Sequence, residues 1–385
     1  MRTSHLLAAG GALLTTTQGL NLLITTDDGF GAASIRELYN QMTSLGHNCY
    51  IVASVASQSY TGFRNGFTTH PQLTADGDWG LVKAGAPSLG FDPSDNHIWY
   101  YNGTPAAQVV IALDYILPTV AKIATPDLVI SGPNAASDTD VFLSSIYGKM
   151  GATYVALERD IPAMVFWTES DLVVPYTAIK TSTKPGLQDP STITARLASS
   201  LVEAFIKKAS GDRVLPKGYG VMVDLPSVTS GTSDKCTNPP FVLQSRSARY
   251  PGAKASYNVK TGVFSHSYAA ADHTRGADGD DKGVNSRCVS SVTIFAVKYD
   301  PTEQRECFNL TDVTAIVPVV VHHNGSMPVI GGLGPNGSIS SNVSRPPPDG
   351  TTTMPPPQTI TGLGVACQWS SSIVLLVLAI WGLMY

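Results

Sequence analysis

The sequence predicts an α/β fold, a mainly parallel sheet covered by helices, with a smaller irregular and β-containing C-terminal extension. Two observations carry this expectation. From Leu22 to Asp224, short apolar β-branched runs alternate with stretches of helical periodicity, and such alternation builds right-handed parallel units. After Pro226 the helical periodicity stops; Gly, Ser and Asp dominate to about Asn285, before a strand-like run from Val289 to Val297. With 385 residues the chain can bury a sizeable core. Charged residues are only 14 % and the formal net charge is −4, which gives no reason to expect a nucleic-acid polymer as partner.

Taken in order, Leu22-Leu23-Ile24 is the first strand, and it ends abruptly in Thr25-Thr26-Asp27-Asp28-Gly29. Ser34 is placed to cap a helix whose apolar face is Ile35, Leu38, Tyr39, Met42 and Leu45, with Gly46 closing it. Asn48 to Ala53 is the second strand, followed by the hydroxyl-rich loop Ser57-Gln58-Ser59-Tyr60-Thr61-Gly62. Residues 66–98 read as an irregular excursion with short strands. Gly103-Thr104-Pro105 opens a helix through Leu117, with Thr104 as cap and Pro105 in the first turn. Pro126 to Ile130 is a third strand, ending in Ser131-Gly132-Pro133-Asn134. Gly148 to Arg159 is a helix in which Gly151 and Ala152 permit close packing. Pro162 to Trp167 is a fourth strand, Thr192 to Ala209 a longer helix, and Tyr219 to Asp224 a fifth strand.

The chemistry belongs at the strand ends, because open α/β sheets bind ligands at the carboxyl edge. Two adjacent carboxylates there repel each other unless a cation or shared proton relieves them, and oxygen-only donors suit Mg²⁺, Mn²⁺ or Ca²⁺. Capping of the following helix is the alternative role for Asp27 and Asp28. Ser59 and Asn134 stand at two further strand ends on the same edge. The acidic piece Asp278-Gly279-Asp280-Asp281 lacks the spacing of a calcium loop and reads as a solvated turn.

Both ends of the chain read as processing signals. Arg2 before the apolar run Leu6 to Leu14, with Thr17 and Gly19 as small flanking residues, marks residues 1–19 as a signal peptide. Residues 338–364 form a Ser/Thr/Pro-rich stalk, and residues 365–385 end in an apolar tail too short to span a bilayer. Small residues at Gly362, Gly364 and Ala366 fit a glycolipid-anchor signal that is removed. Localisation on the outer face of the plasma membrane or in the cell wall follows. Sequons at Asn102, Asn309, Asn324, Asn336 and Asn342 suit such a surface, and Cys49, Cys236, Cys288 and Cys307 leave three disulfide connectivities open.

At these strand ends the sequence resembles the SurE family of metal-dependent phosphatases and nucleotidases. The matching pieces are Thr25-Thr26-Asp27-Asp28-Gly29, Gln58-Ser59-Tyr60-Thr61-Gly62, Gly103-Thr104-Pro105-Ala106 and Ser131-Gly132-Pro133-Asn134, within residues 20–300. The resemblance implies a Rossmann-like three-layer domain over 20–300, of which 226–300 is the irregular extension; a further segment, 301–337, links it to the stalk. It implies that Asp27, Asp28, Ser59 and Asn134 hold one divalent cation, Mg or Mn, and that Asp27 and Asp28 are catalytic toward a phosphate monoester or nucleotide. A homodimer is left open. Three places depart from the family: Thr26 stands where an Asn is usual, Asn134 is followed by Ala135-Ala136-Ser137-Asp138 where a glycine and a second Asn are usual, and the expected Ser-Gly-Thr-Val loop is rewritten across Ser144-Ser145-Ile146-Tyr147-Gly148-Lys149. Thr104, Ser144 and Ser145 are the candidate phosphate contacts. Lys149 is read as a solvated helix residue, with a point charge toward phosphate as its other reading. A non-catalytic or weakly active surface protein that keeps the fold is the alternative to an acid phosphatase or 5′-nucleotidase.

Overall fold

The computed structural model describes residues 19–135, 147–168, 173–179, 188–209, 211, 213–228, 237–243, 253–268, 290–297, 320–323 and 326–330. The signal segment before Gly19, the stalk, the anchor signal, Ser144, Ser145, Asp278 to Asp281 and every cysteine except Cys49 lie outside those residues.

The apolar runs form strands as expected: β1 (Asn21–Thr25), β2 (Asn48–Ser54), β5 (Leu128–Ala135), β6 (Ala163–Thr168) and β7 (Tyr219–Leu225). The excursion at 66–98 holds more order than its composition signals. It contains β3 (Leu89–Asp92) and leads into β4 (Asp95–Tyr101), which pairs in parallel with β2. The parallel core runs β4-β2-β1-β5-β6-β7, and β3 closes one side antiparallel to β4. Beyond β7 the sheet continues through β11 (Ser290–Ala296), β8 (Phe241–Leu243), β13 (Ser326–Ile330) and β12 (Val320–His323). A separate hairpin joins β9 (Ala253–Asn258) to β10 (Val263–Tyr268).

Strand alternation sends side chains to both faces, so each strand feeds two cores. Leu22, Ile24, Ile51 and Ile130 pack under helices α1 (Ala33–Ser44) and α4 (Pro190–Ala209). Leu23, Val52 and Val129 pack on the opposite face under α2 (Pro105–Ile111) and α3 (Gly148–Glu158). The result is the three-layer α/β arrangement. Among the described residues no helix is long and apolar enough to cross a membrane.

The helix ends depart from expectation in four places. Ser34 does not cap α1: Ala32 holds the cap position without a side-chain bond, and the Ser34 hydroxyl donates to Pro133 O at 2.7 Å, tying α1 to the end of β5. Leu45 is 53 % exposed and off the apolar face, because the helix ends before it. Gly46, at φ +94°, completes the turn, with its N–H on Thr43 O and that of His47 on Met42 O. Thr104 occupies the cap position of α2 but makes no capping bond. Its hydroxyl donates to Arg64 O and accepts from Gly66 N–H, so it pins the chain that follows the serine loop. The helix expected to stop at Leu117 continues as a π-helix, Ala112–Ala121, which accommodates Pro118, a residue without an N–H to give to an α-helical ladder.

Candidate metal centre

Chain order fixes where the site lies. From β1 the chain winds outward to β2 and β4, then crosses back to β5 and winds the other way to β6 and β7. The crevice between the ends of β1 and β5 is therefore the topological switch point, where sheets of this kind bind ligands. Asp27 and Asp28 follow β1, and Asn134 is the second-last residue of β5, where the pairing with β6 is irregular between Ser131 and Asn134. The acids do not cap α1, whose first turn holds no acidic residue.

Both acids are buried, Asp27 at 1 % and Asp28 at 3 % exposure. Asp27 Oδ1 accepts from Asn134 Nδ2, and Oδ2 accepts from the backbone N–H of Lys149 at 3.1 Å. Asp28 Oδ2 accepts from the Ala135 N–H at 2.7 Å, while Ser59 Oγ stands 3.5 Å from Oδ1. Thr26, flagged only as a departure, is a hub: its hydroxyl oxygen takes Asn134 Nδ2 at 2.7 Å and the Asp28 N–H at 3.1 Å. Asp27, Asp28, Ser59 and Asn134 are thus brought together from three separate strand ends.

Burial is the main reason both carboxyls hold their protons more tightly than usual. For Asp28, burial and then the charge of Asp27 push the pKa up to about 7, against the pull of Lys149, Ala135 and Ser59. For Asp27 burial outweighs the Lys149 charge and backbone donors, and the pKa is likewise raised. A bound cation would reverse that balance, since an opposite charge favours the ionised form.

The serine loop is seated by backbone contacts. Gln58 N–H donates to Asp27 O at 2.7 Å, and Asp78 Oδ2 accepts from Ser57 N–H at 2.6 Å. Helix α3 closes on the same loop: Gly148 N–H donates to Ser59 O at 3.0 Å. Two glycines permit this approach. A Cβ at Gly148 would stand 2.8 Å from Gln58 O, and one at Gly151 would stand 2.3 Å from Gly62 O.

Lys149 overturns its expected solvated role. It is 1 % exposed, with its ammonium 4.3 Å from the Tyr147 ring centre and 5.3 Å from that of Trp167. Nothing local in the sequence signals this, because lysine on a helix is ordinarily a surface residue. Ser144 and Ser145 lie outside the described residues. Thr104 has its hydroxyl committed to Arg64 and Gly66.

The donor set fits a hard divalent cation. Asn134 Oδ1 is buried without a hydrogen-bond partner among the described residues, an orphaned acceptor beside two carboxylates. Among the described residues no group of three or more His, Cys, Asp or Glu side chains gathers to hold a metal, so a cation here would rely on two carboxylates and neutral oxygens.

Fold and site together define the class: a doubly wound α/β protein with an oxygen-donor centre at its switch point. The family described as "Survival protein SurE" matches residues 22–244, and the chain belongs to that family. The SurE family is divalent-metal dependent in general. The chain is 32 % identical over 292 residues to an acid phosphatase of Yarrowia lipolytica, covering 72 % of this chain and 80 % of that protein. It is 33 % identical over 155 residues to a 5′-nucleotidase SurE of Microcystis aeruginosa, covering 40 % of this chain and 50 % of the relative. A solved SurE protein of Aquifex aeolicus is 17 % identical, with a TM-score of 0.48 over 73 % of this chain and 95 % of that one.

Proposed function

We propose that the protein hydrolyses phosphate monoesters, as an acid phosphatase or 5′-nucleotidase, with one divalent cation, Mg or Mn, held by Asp27, Asp28, Ser59 and Asn134. The observation that carries this reading is the orphaned Asn134 Oδ1 beside two buried carboxylates at the switch point. When bound, the cation would neutralise phosphoryl oxygens and acidify a water. The chain's own residues divide the remaining work. Asn134 Nδ2 and the Lys149 N–H fix both oxygens of Asp27, holding that carboxylate in one orientation. Asp28 has one oxygen on the Ala135 N–H and the other near Ser59 Oγ, leaving the latter free to orient or deprotonate an attacking water. Neutral Ser59 and Asn134 limit the negative charge that an anionic substrate would meet.

The names of the acid phosphatase and 5′-nucleotidase relatives support the substrate class. The leader-like residues 1–19 and the tail from 365 support export and a glycolipid anchor, and intact-mass analysis of deglycosylated native protein checks this; a mature peptide containing Trp381 would exclude it. The activity is tested by phosphate release from a chromogenic monoester and from nucleoside monophosphates, with Mg²⁺, with Mn²⁺ and in EDTA. Release that depends on the divalent cation is expected. Full activity in EDTA overturns the metal site, and no release under any condition favours a non-catalytic surface protein.

A further inference from the structure

The proposed chemistry leaves the buried charge of Lys149 unused. No carboxylate lies within ion-pairing distance of its ammonium among the described residues. Lysine is almost never fully buried without such a partner. The Tyr147 and Trp167 ring faces return only part of what it costs to take an ammonium out of water. Beside it the Trp167 Nε1–H is also buried and has no hydrogen-bond partner among the described residues. Trp167 stands opposite Asn134 in the β5–β6 pairing, and the Lys149 backbone N–H is bonded to Asp27, so both residues adjoin the acid pair.

We propose that the Lys149 ammonium, with the Trp167 indole N–H beside it, binds phosphoryl oxygens of the substrate at the acid-pair site. The inference rests on the phosphatase reading above and names a residue that reading does not need. Charge accounting supports it. Two carboxylates and one divalent cation cancel, so a phosphate dianion would meet a site of no net charge; Lys149 makes that site positive by one. Its charge already acts on Asp27 and Asp28 together, which puts the ammonium within electrostatic reach of both.

Inorganic phosphate is the probe, titrated calorimetrically into the Mg²⁺-loaded full chain. Lys149→Met and Lys149→Gln are each expected to weaken phosphate binding by roughly tenfold or more and to raise KM for a monoester, with Mg²⁺ affinity not reduced. Lys149→Arg, which keeps the charge, should bind phosphate more tightly than either neutral variant. Unchanged phosphate affinity in both neutral variants overturns the proposal while leaving the phosphatase reading intact. Failure of the unaltered, Mg²⁺-loaded protein to bind phosphate or to release it overturns both. Should the neutral variants not fold, the unaltered protein decides: the ¹⁵N resonance of the Lys149 ammonium, assigned by its loss in Lys149→Arg, must shift when phosphate is added. A resonance that phosphate does not move sinks the proposal.

Discussion

Arg36 and Asp92 form a buried ion pair at 2.6 Å in which every charge is answered. The Arg36 Nε–H donates to Phe30 O at 2.8 Å, its guanidinium lies over the Phe30 and Tyr176 rings, and Ser94 donates to Asp92 through both hydroxyl and N–H. Burial alone would raise the Asp92 carboxyl, yet Ser94 and Arg36 hold it below the usual range. At the switch point the opposite holds: Asp27 and Asp28 are pushed up, Asn134 Oδ1 is orphaned, and Lys149 has aromatic faces in place of a carboxylate. The first cluster is closed and fastens α1 to the turn between β3 and β4. The second leaves polar groups unanswered among the described residues, the imbalance that the proposed cation and phosphate would relieve.

The contrast is broken most severely at the open cluster. Asp28→Asn, nearly isosteric, should lower phosphate release by roughly 10²-fold or more while thermal unfolding of the metal-free protein is unchanged or improved. A variant with near-normal turnover would remove Asp28 from the chemistry. At the closed cluster the order is reversed: Arg36→Met strands Asp92 and should cost about 3–5 kcal/mol in urea unfolding, with kcat of the remaining folded protein little altered.

A pH series sharpens the same distinction. In EDTA, Asp27 and Asp28 bind protons more tightly folded than unfolded, so stability should fall as pH rises from about 4 through about 7. Excess Mg²⁺ should flatten that fall, and Asp28→Asn should reduce it; an EDTA profile that rises across this window contradicts the burial account. The Asp92 contribution runs the other way, being lost as pH drops below the ordinary carboxylate range. The smallest effect belongs to the link between the two regions. Ser34→Ala removes one bond to Pro133 O and should cost about 1 kcal/mol, read as a small shift in the unfolding midpoint.

The strands of the parallel core were largely legible because Leu22 to Ile24, Leu128 to Ile130 and Met164 to Phe166 are uninterrupted apolar runs, the mark of strands buried on both faces. Strand β4 escaped because Asp95, Asn96 and His97 precede Ile98-Trp99-Tyr100-Tyr101, although that aromatic run is itself a strand signal. Hydroxyl roles were misread for one reason at two sites. Ser34 and Thr104 sit where capping is the local option, yet each was recruited by a carbonyl outside its helix, in Pro133 and Arg64. Adjacency and position single out the acid pair in the sequence but leave capping of α1 open as its role. The orphaned oxygen of Asn134 and the burial of Lys149 could not, since both depend on neighbours contributed by distant strands.

The meeting of helix α3 with the serine loop has a consequence for how this protein can vary. Gly148 and Gly151 touch the loop through backbone, with no side chain of their own at the contact. The position of Ser59 is therefore set by main-chain atoms that substitutions elsewhere on the helix do not alter. Residue 149, lying between the two glycines, becomes a position where a charge can be exchanged without moving the serine loop. A side chain at either glycine would collide with that loop, so the frame tolerates change at residue 149 far better than at its two glycine neighbours.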